Sequence, residues 1–271
     1  MLYFERGDKM EFKPIEENKY PVPQRYNTVI KANKLIQQSR FSLSTQQQKI
    51  ILFLISKINP FDDNVSEYEF NTVEFCKVCG IDPKGEMYNL IRKQIQEIAD
   101  KSVWIELDNN TDALVRWIEK SYIEKGNGII KIRIDNDMKP FLFQLKEQFT
   151  EYELIYTLNF KSKYSIRLYE FLKSIHYKKL ETYSQKIEIN KFQKLLDSPY
   201  KEFKSFNNRV LKPSHTEINQ YSDINFNYEL VRQGKKVSHI KITVSTKKVI
   251  DRVNTATENE RLLNENSKGN K

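Results

Sequence analysis

Cysteine and histidine are scarce in this sequence, with two cysteines and three histidines among 271 residues. Two cysteines cannot build the framework of a disulfide-rich domain. Cys76 and Cys79 form a Cys-x-x-Cys motif, but a structural zinc site needs four ligands, no second pair exists and the histidines lie far along the chain. We therefore predict that both thiols pack in the core and that the protein uses no metal or other cofactor.

Long apolar runs and secretion signals are also missing. No run approaches the roughly 18–20 apolar residues that a membrane span requires. The first residues lack the apolar region and small-residue cleavage site of a secretory signal. The sequence therefore predicts a cytoplasmic protein without membrane contact.

Motifs for catalysis are equally sparse. The Gly-x4-Gly-Lys-Ser/Thr loop of P-loop ATPases does not occur. The carboxylates form no recognisable nuclease cluster, and no two histidines flank one residue, as they do in the metal site of rolling-circle nickases. Tyrosines are plentiful, but nothing in the sequence activates one as a nucleophile. We therefore expect a protein that is not an enzyme.

Positive charge is in excess and is unevenly distributed. The formal net charge is +9. Residues 1–160 hold 22 Lys/Arg against 24 Asp/Glu, residues 161–252 hold 20 against 9, and residues 253–271 hold 3 of each. A surface that binds a polyanion concentrates charge in this way, whereas charge for solubility alone would be spread out. A basic face that only contacts solvent is the open alternative.

Residues 29–150 show the pattern of a helix-turn-helix followed by a hairpin. Ser44 and Gln47 fit a capping box ahead of apolar residues at helical spacing. The elements predicted next are a strand at 68–70, a helix capped by Thr72, a helix at 84–100 that buries Leu90, strands at 103–107, 114–124 and 129–134, and a helix near 137–146. Helix, strand, helix, helix, strand, strand is the order of a winged helix.

The same order recurs in residues 151–252. The predicted elements are a helix at 161–176, a strand at 186–189, helices at 190–196 and 200–220, and a hairpin of 224–232 with 237–244. The predicted fold class is therefore α+β, with two tandem winged-helix (helix-turn-helix) domains related by an internal pseudo-repeat. Residues 1–28 are predicted to be an N-terminal arm and residues 253–271 a polar C-terminal tail.

In a helix-turn-helix, the second helix enters the major groove and its exposed residues contact base edges. Arginine pairs with guanine and asparagine with adenine, while lysine and serine also contact phosphates. In the second module the predicted DNA-binding residues are Lys201, Lys204, Ser205, Asn207, Asn208, Arg209 and Lys212 on the helix, with Arg232, Lys235 and Lys236 on the hairpin as a wing. Pro213 is expected to kink or break this helix.

The first module offers a weaker DNA surface. Its corresponding helix carries Lys84, Asn89, Arg92 and Lys93, which are predicted as secondary DNA contacts. The turn of its hairpin is acidic, with Asp108 and Asp112, and phosphates repel an acidic tip. We therefore expect this module to bind DNA weakly or to serve mainly in protein contacts.

Three blocks of sequence carry a resemblance to a known family. They are the segment from Asn33 to Ile50, which contains Leu-Ser-Thr-Gln-Gln-Gln-Lys-Ile, the segment Phe160–Leu172, which contains Arg-Leu-Tyr-Glu, and the segment Phe206–Asn219, which contains Arg-Val-Leu-Lys-Pro. Together they resemble the initiator Rep proteins of theta-replicating, iteron-containing plasmids. The likeness extends over about residues 29–250.

The resemblance implies a specific function. Proteins of that family bind directly repeated origin sequences, called iterons, in double-stranded DNA through two winged-helix domains. Monomers promote origin opening and recruit the host replication initiator and helicase, whereas homodimers formed through the first domain repress the protein's own gene or couple origins. The resemblance also implies that Ser162, Lys163 and Arg167 lie near backbone phosphates.

Two other functions stay open on sequence grounds. A winged-helix transcriptional regulator without initiator activity would show the same order of elements. A nicking enzyme is the third possibility, and the missing histidine pair disfavours it.

Overall fold

The computed structural model describes residues 21–59, 67–108, 110–124, 126–176 and 181–268. The predicted arm lies outside these residues up to residue 20. The described part of the arm contains a 3₁₀ turn at Pro23–Tyr26, in which the Arg25 side chain is buried. Among the described residues, no helix combines the length and apolarity needed to cross a membrane.

The first module contains most of the strands. Its elements are β1 (Thr28–Ala32), α1 (Asn33–Gln37), β2 (Ser39–Arg40), α2 (Thr45–Ile55), β3 (Glu67–Asn71), α3 (Thr72–Cys79), α4 (Met87–Ala99), β4 (Ser102–Asp108), β5 (Thr111–Arg116), β6 (Ile118–Ile123), β7 (Ile129–Ile134) and β8 (Phe149–Glu153). The strands form three antiparallel sheets in the orders β2-β4-β5, β3-β7-β6 and β1-β8. The core lies beneath α2, where Phe53 contacts the rings of Phe70 and Phe75 at centroid distances of 5.4 and 5.5 Å.

The helix caps of the first module are formed by short polar side chains. Ser44 accepts a hydrogen bond from the Gln47 amide and the Gln47 side chain accepts one from the Ser44 amide, so the predicted capping box is confirmed. The prediction for α3 was wrong by one residue, because the side chain of Asn71 accepts from the amides of Val73 and Glu74. Asparagine is among the best capping residues, and it satisfies these otherwise unpaired amides.

Two other predictions for the first module are wrong. The strand predicted at 114–124 is divided at Trp117, with β5 in one sheet and β6 in another. Trp117 and Ile118 are both buried, so the alternation of a half-buried strand fails there and the chain passes from one sheet to the next. The helix predicted near 137–146 is only a 3₁₀ turn at Lys139–Phe141, and Pro140 lies in its first turn, where a missing amide hydrogen costs no hydrogen bond.

The second module repeats the order helix, strand, helix, helix, hairpin. After the short helix α5 (Ile155–Leu158), its elements are α6 (Lys163–Ile175), β9 (Thr182–Glu188), α7 (Ile189–Leu195), α8 (Phe203–Phe206), a π-helical turn (Asn207–Leu211), α9 (Lys212–Tyr221), β10 (Ile224–Gln233) and β11 (Lys236–Thr246). The strands form one antiparallel sheet in the order β10-β11-β9. The rings of Phe171, Phe192 and Phe206 pack in sequence in the core.

The elements α8, the π-helical turn and α9 form one continuous helix, here called the reading helix, at residues 203–221. The expected break at Pro213 does not occur. Proline lacks an amide hydrogen, and its ring clashes with the carbonyl group four residues earlier, which belongs to Arg209. The wider turn at Asn207–Leu211 includes that carbonyl group, and a π turn accommodates such a mismatch without ending the helix.

Most of the predicted polar tail at 253–271 belongs to a helix that packs on the domain, and its last three residues lie outside the described residues. This helix, α10, runs from Val249 to Ser267 and buries Ala256, Asn259, Glu260 and Leu263. Its polar composition concealed this face, since two of the four buried residues are polar. Strand β8 also crosses the predicted boundary between residues 150 and 151, because it pairs with β1.

Candidate nucleic-acid interface

A cleft of about 1160 Å³ separates the N-terminal end of the reading helix from the tip of the β10–β11 hairpin. The predicted residues that line it are Lys201, Lys204, Arg232, Lys235 and Lys236. Five cationic side chains, from the hairpin, from the reading helix and from the segment just before it, therefore converge on one concave surface. Glu188 also lines this cleft. Such a concentration of positive charge attracts a polyanion.

The reading helix has one buried face and one polar face. Phe206, Val210 and Leu211 are fully buried, which anchors the helix on the domain. The predicted DNA-binding residues that are exposed are Lys201, Lys204, Asn208, Arg209 and Lys212, while Ser205 and Asn207 are half-buried. Lys201 precedes the helix, which begins at Phe203 and not at residue 200 as predicted. The polar face thus presents cationic and amide groups along more than two turns.

Two tyrosines hold side chains of the polar face in position. The guanidinium of Arg209 lies over the ring of Tyr200, with its central carbon 5.5 Å from the ring centroid. The hydroxyl of Tyr228 donates to Oδ1 of Asn207 at 3.0 Å. Burial raises the pKa of Tyr228, so this hydroxyl keeps its proton at neutral pH. A side chain with fewer rotamers loses less entropy on binding, so both contacts favour recognition.

The sequence did not identify these tyrosines as part of the site. It also did not identify Asn190, Gln193 and His239, which line the cleft from α7 and β11. For Tyr228, the signal that could have been used is the alternation of buried and exposed residues along β10. Tyr228 lies four residues after Ile224 on the same strand face, the face that packs towards the helices.

The hairpin has the form of a wing. Gly234 adopts φ +61° in the turn, a conformation that glycine tolerates without steric cost. The register shifts between Val231 and Arg232, which bends the tip. Arg232, Lys235 and Lys236 are all exposed there, and Arg232 donates to the carbonyl oxygen of Lys235 at 3.3 Å.

Ser162 and Lys163, two of the three residues expected near backbone phosphates, lie at the N-terminal end of α6. Ser162 caps α6 by accepting from the Tyr164 amide at 3.2 Å. The carboxylate of Glu217 accepts from the amides of Lys161 and Ser162, at 3.1 and 3.2 Å. Lys163 is half-buried, with its Nζ 5.1 Å from the centroid of the Tyr164 ring.

Arg167 does not lie on the surface. It is 6% exposed, and it donates to the carbonyl oxygens of Ser39 at 2.9 Å and Leu195 at 3.2 Å. Its guanidinium carbon lies 4.2 Å from the centroid of the Phe41 ring. The buried position contradicts the expectation that Arg167 lies near a phosphate. Its side chain instead joins β2 of the first module to α7 of the second.

In the first module, α4 presents the predicted cations to solvent. Lys84, Asn89, Arg92 and Lys93 are all exposed. Lys84 lies in the turn before α4 and pairs loosely with Asp82 at 3.6 Å, while Asn89 donates to Glu86 at 2.7 Å. Leu90, which was predicted to be buried, is 45% exposed. The helix therefore buries a narrower face than predicted, made of Ile91, Ile95 and Ile98.

The hairpin of the first module ends in acidic residues. Asp112 pairs with Arg40 at 2.9 Å on the exposed surface. Hydrogen bonds from Asn110 and Thr111 hold the pKa of Asp108 below its ordinary value, so its carboxylate is charged at neutral pH. An anionic tip is unsuited to contact phosphates.

Both cysteines are buried on α3 as free thiols. Burial raises the pKa of Cys76 to about 11 and that of Cys79 to about 12. A metal ligand or nucleophile requires the thiolate, which burial disfavours here. In the described ranges, no group of three or more His, Cys, Asp or Glu side chains could hold a metal ion.

This fold, with its two helix-turn-helix units and a cationic reading helix beside a wing, defines a tandem winged-helix protein. A family model described as Initiator Replication protein, WH1, matches residues 28–173. A second model, described as Initiator Rep protein, WH2, matches residues 188–244. The chain therefore belongs to the family of initiator replication proteins, and its two winged-helix domains are confirmed.

Individual proteins of known sequence or structure are similar to this chain. A replication initiation protein of Escherichia coli is 29% identical over 249 residues, which cover 87% of this chain and 75% of the relative. The crystal structure of the Pi initiator protein in complex with iteron DNA has a TM-score of 0.70 at 15% identity, covering 83% of this chain and 99% of that one. The RctB domains 2–3 give a TM-score of 0.43 at 11% identity, over 80% of this chain and 88% of that one.

Proposed function

We propose that this protein is a plasmid replication initiator that binds directly repeated origin sequences in double-stranded DNA. The observation that carries the proposal is the cationic cleft between the reading helix and the wing, on a chain of the initiator family. Arg209 and Asn208 would contact base edges, because they are exposed on the polar face of the reading helix. Lys235 and Lys236 on the wing would contact the backbone.

The two modules divide the work unequally in this proposal. Residues 151–252 form the main DNA reader, and residues 29–150 supply a secondary contact through α4. Ser162 and Lys163 stay candidates for phosphate contact only if the Glu217 carboxylate moves away from the α6 amides. The similar Pi initiator protein was crystallised with iteron DNA, which supports the same class of ligand here.

We further propose that monomers bound to the repeats promote origin opening and recruit the host replication initiator and helicase. This chain would catalyse no step itself, and it would act in the cytoplasm, where plasmids replicate. Origin opening and recruitment of host proteins would require no cofactor of this chain. The family assignment supports this part of the proposal.

A homodimer formed through the first module would repress the protein's own gene. The supporting surface is the exposed face of the β4–β5 hairpin. Trp104 and Leu114 lie directly opposite each other there and are 46% and 56% exposed. Strand β5 is at the edge of the β2-β4-β5 sheet, so its backbone can pair with another chain.

The pattern of charge on β5 suits pairing with a second copy. An antiparallel β5–β5 pair centred on Leu114 would place Asp112 of each copy opposite Arg116 of the other. Both side chains are exposed. Opposite charges across a strand pair stabilise it, whereas like charges destabilise it.

Mobility shifts on the direct repeats next to the gene, compared with scrambled DNA of the same composition, test the proposed function. We expect specific binding to exceed non-specific binding by about a thousandfold or more. Equal affinity for both duplexes would contradict it. A plasmid that carries the gene and its repeats should also replicate autonomously, and failure to replicate despite specific binding would favour a transcriptional regulator.

A further inference from the structure

Helix α10 leaves the second module and packs against the first. It follows β11, the last strand of the second module, and lies beyond the two segments that the family models match, which are residues 28–173 and 188–244. Its buried face contacts α3, α5 and α9. One helix therefore touches the helix-turn-helix units of both modules.

Asn259 connects α10 to the end of the reading helix. Its side chain is fully buried. Nδ2 donates to the carbonyl oxygens of Tyr221 at 2.8 Å and Ile155 at 3.3 Å, while Oδ1 accepts from Nδ2 of Asn159 at 3.0 Å. Tyr221 is the last residue of α9, so this contact fixes the C-terminal end of the reading helix.

Arg25 connects α10 to the first module. Its side chain is 1% exposed. Nη1 donates to the carboxylate of Glu260 and, at 2.8 Å, to Oδ1 of Asn264. Nε and Nη2 donate to the carbonyl oxygens of Val78 and Lys77 at 2.8 and 2.7 Å. These carbonyl groups belong to the last turn of α3.

The packing at this junction leaves no room for sliding. Gly80 ends α3 with φ +65°, and a Cβ atom at this position would clash with the backbone carbonyl group of Leu263. Helix α3 is the first helix of the helix-turn-helix whose second helix is α4. The position of α10 against Gly80 therefore also constrains α4.

We propose that α10 fixes the separation and rotation of the two DNA-reading helices, with Arg25, Asn259 and Glu260 as positioning residues. Buried polar groups that are paired in only one arrangement disfavour every other arrangement, because movement would leave them without partners. A duplex turns once in about 10–10.5 base pairs, so each inserted base pair rotates the next groove face by roughly 35°. Rigidly joined modules should therefore reject a repeat of altered internal spacing. This inference rests on the proposed function, since it takes both modules to contact one duplex.

The test uses full-length protein and a duplex with one origin repeat. A footprint first identifies the groove face that each module covers. One, two or five base pairs are then inserted between these two faces. We expect the wild type to lose about tenfold or more in affinity on insertion of one or two base pairs. The double variant Glu260→Ala/Asn264→Ala should lose less than about threefold on the same duplexes. It removes the α10 partners of Arg25 but leaves the carbonyl contacts of Arg25 in place.

Two further variants sharpen the comparison. Arg261→Ala changes the exposed face of the same helix, where Arg261 pairs only with Glu258 and Glu265 among the described residues, and it should behave as the wild type does. Asn259→Asp keeps the side-chain shape but removes both donated hydrogen bonds, so it should tolerate insertions. Thermal unfolding identifies the variants that fold. A folded Glu260→Ala/Asn264→Ala or Asn259→Asp protein with the wild-type penalty for insertions would overturn the proposal.

A second measurement does not depend on DNA. Spin labels at Arg92→Cys and Asn208→Cys report the distance between α4 and the reading helix, since the native thiols are buried. The distribution of this distance should be narrow in the labelled protein without further changes and broader when Glu260→Ala/Asn264→Ala is added. An unchanged distribution would overturn the proposal. If the wild type does not distinguish repeats from scrambled DNA, the proposed function fails, and the spin-label result alone decides whether α10 fixes the two modules.

Discussion

Arg209 and Lys235 lie on different parts of the proposed DNA surface, so their removal should have different effects. Arg209→Ala should cost about 1–3 kcal/mol on the cognate repeat and little on scrambled DNA, because a bidentate base contact is lost. Lys235→Ala should weaken both duplexes alike and reduce the slope of log affinity against log salt concentration by about 1. Titrations at several salt concentrations measure both effects. Unchanged discrimination in Arg209→Ala would remove this residue from the reading surface.

The buried thiols give a prediction about pH. Because burial raises the pKa of Cys79 to about 12, the unfolded chain loses this proton at a lower pH than the folded chain does. Stability from this group is complete below the unfolded pKa, near 9, and falls as pH rises towards about 12. The free energy of unfolding should therefore decrease above pH 9, and less steeply in Cys79→Ala. Urea titrations from pH 7 to pH 10 measure it, and equal slopes in both proteins would contradict the assignment.

At the scale of a single element, the capping box of α2 makes a separable contribution. Ser44→Ala should lower the free energy of unfolding by about 1 kcal/mol, because the Gln47 amide loses its partner. Affinity for the repeat should not change, since α2 packs in the core and not on the proposed DNA surface. Urea unfolding measures the loss, with Ser42→Ala, an exposed serine before the cap, as the matched control. An equal loss in both variants would refute the role of the cap.

Elements defined by local signals could be predicted from the sequence. The capping box at Ser44, the amphipathic α6 and the β10–β11 hairpin depend on neighbouring residues, and each lies close to its predicted place. The division of the strand at Trp117 could not be predicted, because it follows from which sheet each half can pair with. Helix α10 was missed because its buried face is partly polar, and only its partners on α3, α5 and α9 make that face a core.

The candidate site divides in the same way. Charge concentration and the helix-turn-helix pattern were sufficient to find Lys201, Lys204 and the wing, which the structure brings to one cleft. Arg167 is also cationic, but it lies inside the protein with its guanidinium over the ring of Phe41. Nothing local distinguishes an arginine that binds phosphate from one that joins two modules. That distinction depends on Ser39, more than a hundred residues earlier in the chain.

At the scale of the whole molecule, the proposed dimer surface of the first module can be tested by one substitution. Leu114→Lys places a lysine at the centre of the β5–β5 pair, so the two copies would bring like charges together. Self-association, measured by sedimentation equilibrium, should weaken by about tenfold or more, since the exposed Trp104–Leu114 patch is also interrupted. Val73→Lys, a substitution of the same kind at an exposed position on α3, should leave association unchanged. Because the reading helix lies in the other module, Leu114→Lys should retain monomer binding to a single repeat while repression of its own gene is lost. Unchanged association of Leu114→Lys would place the dimer contact elsewhere.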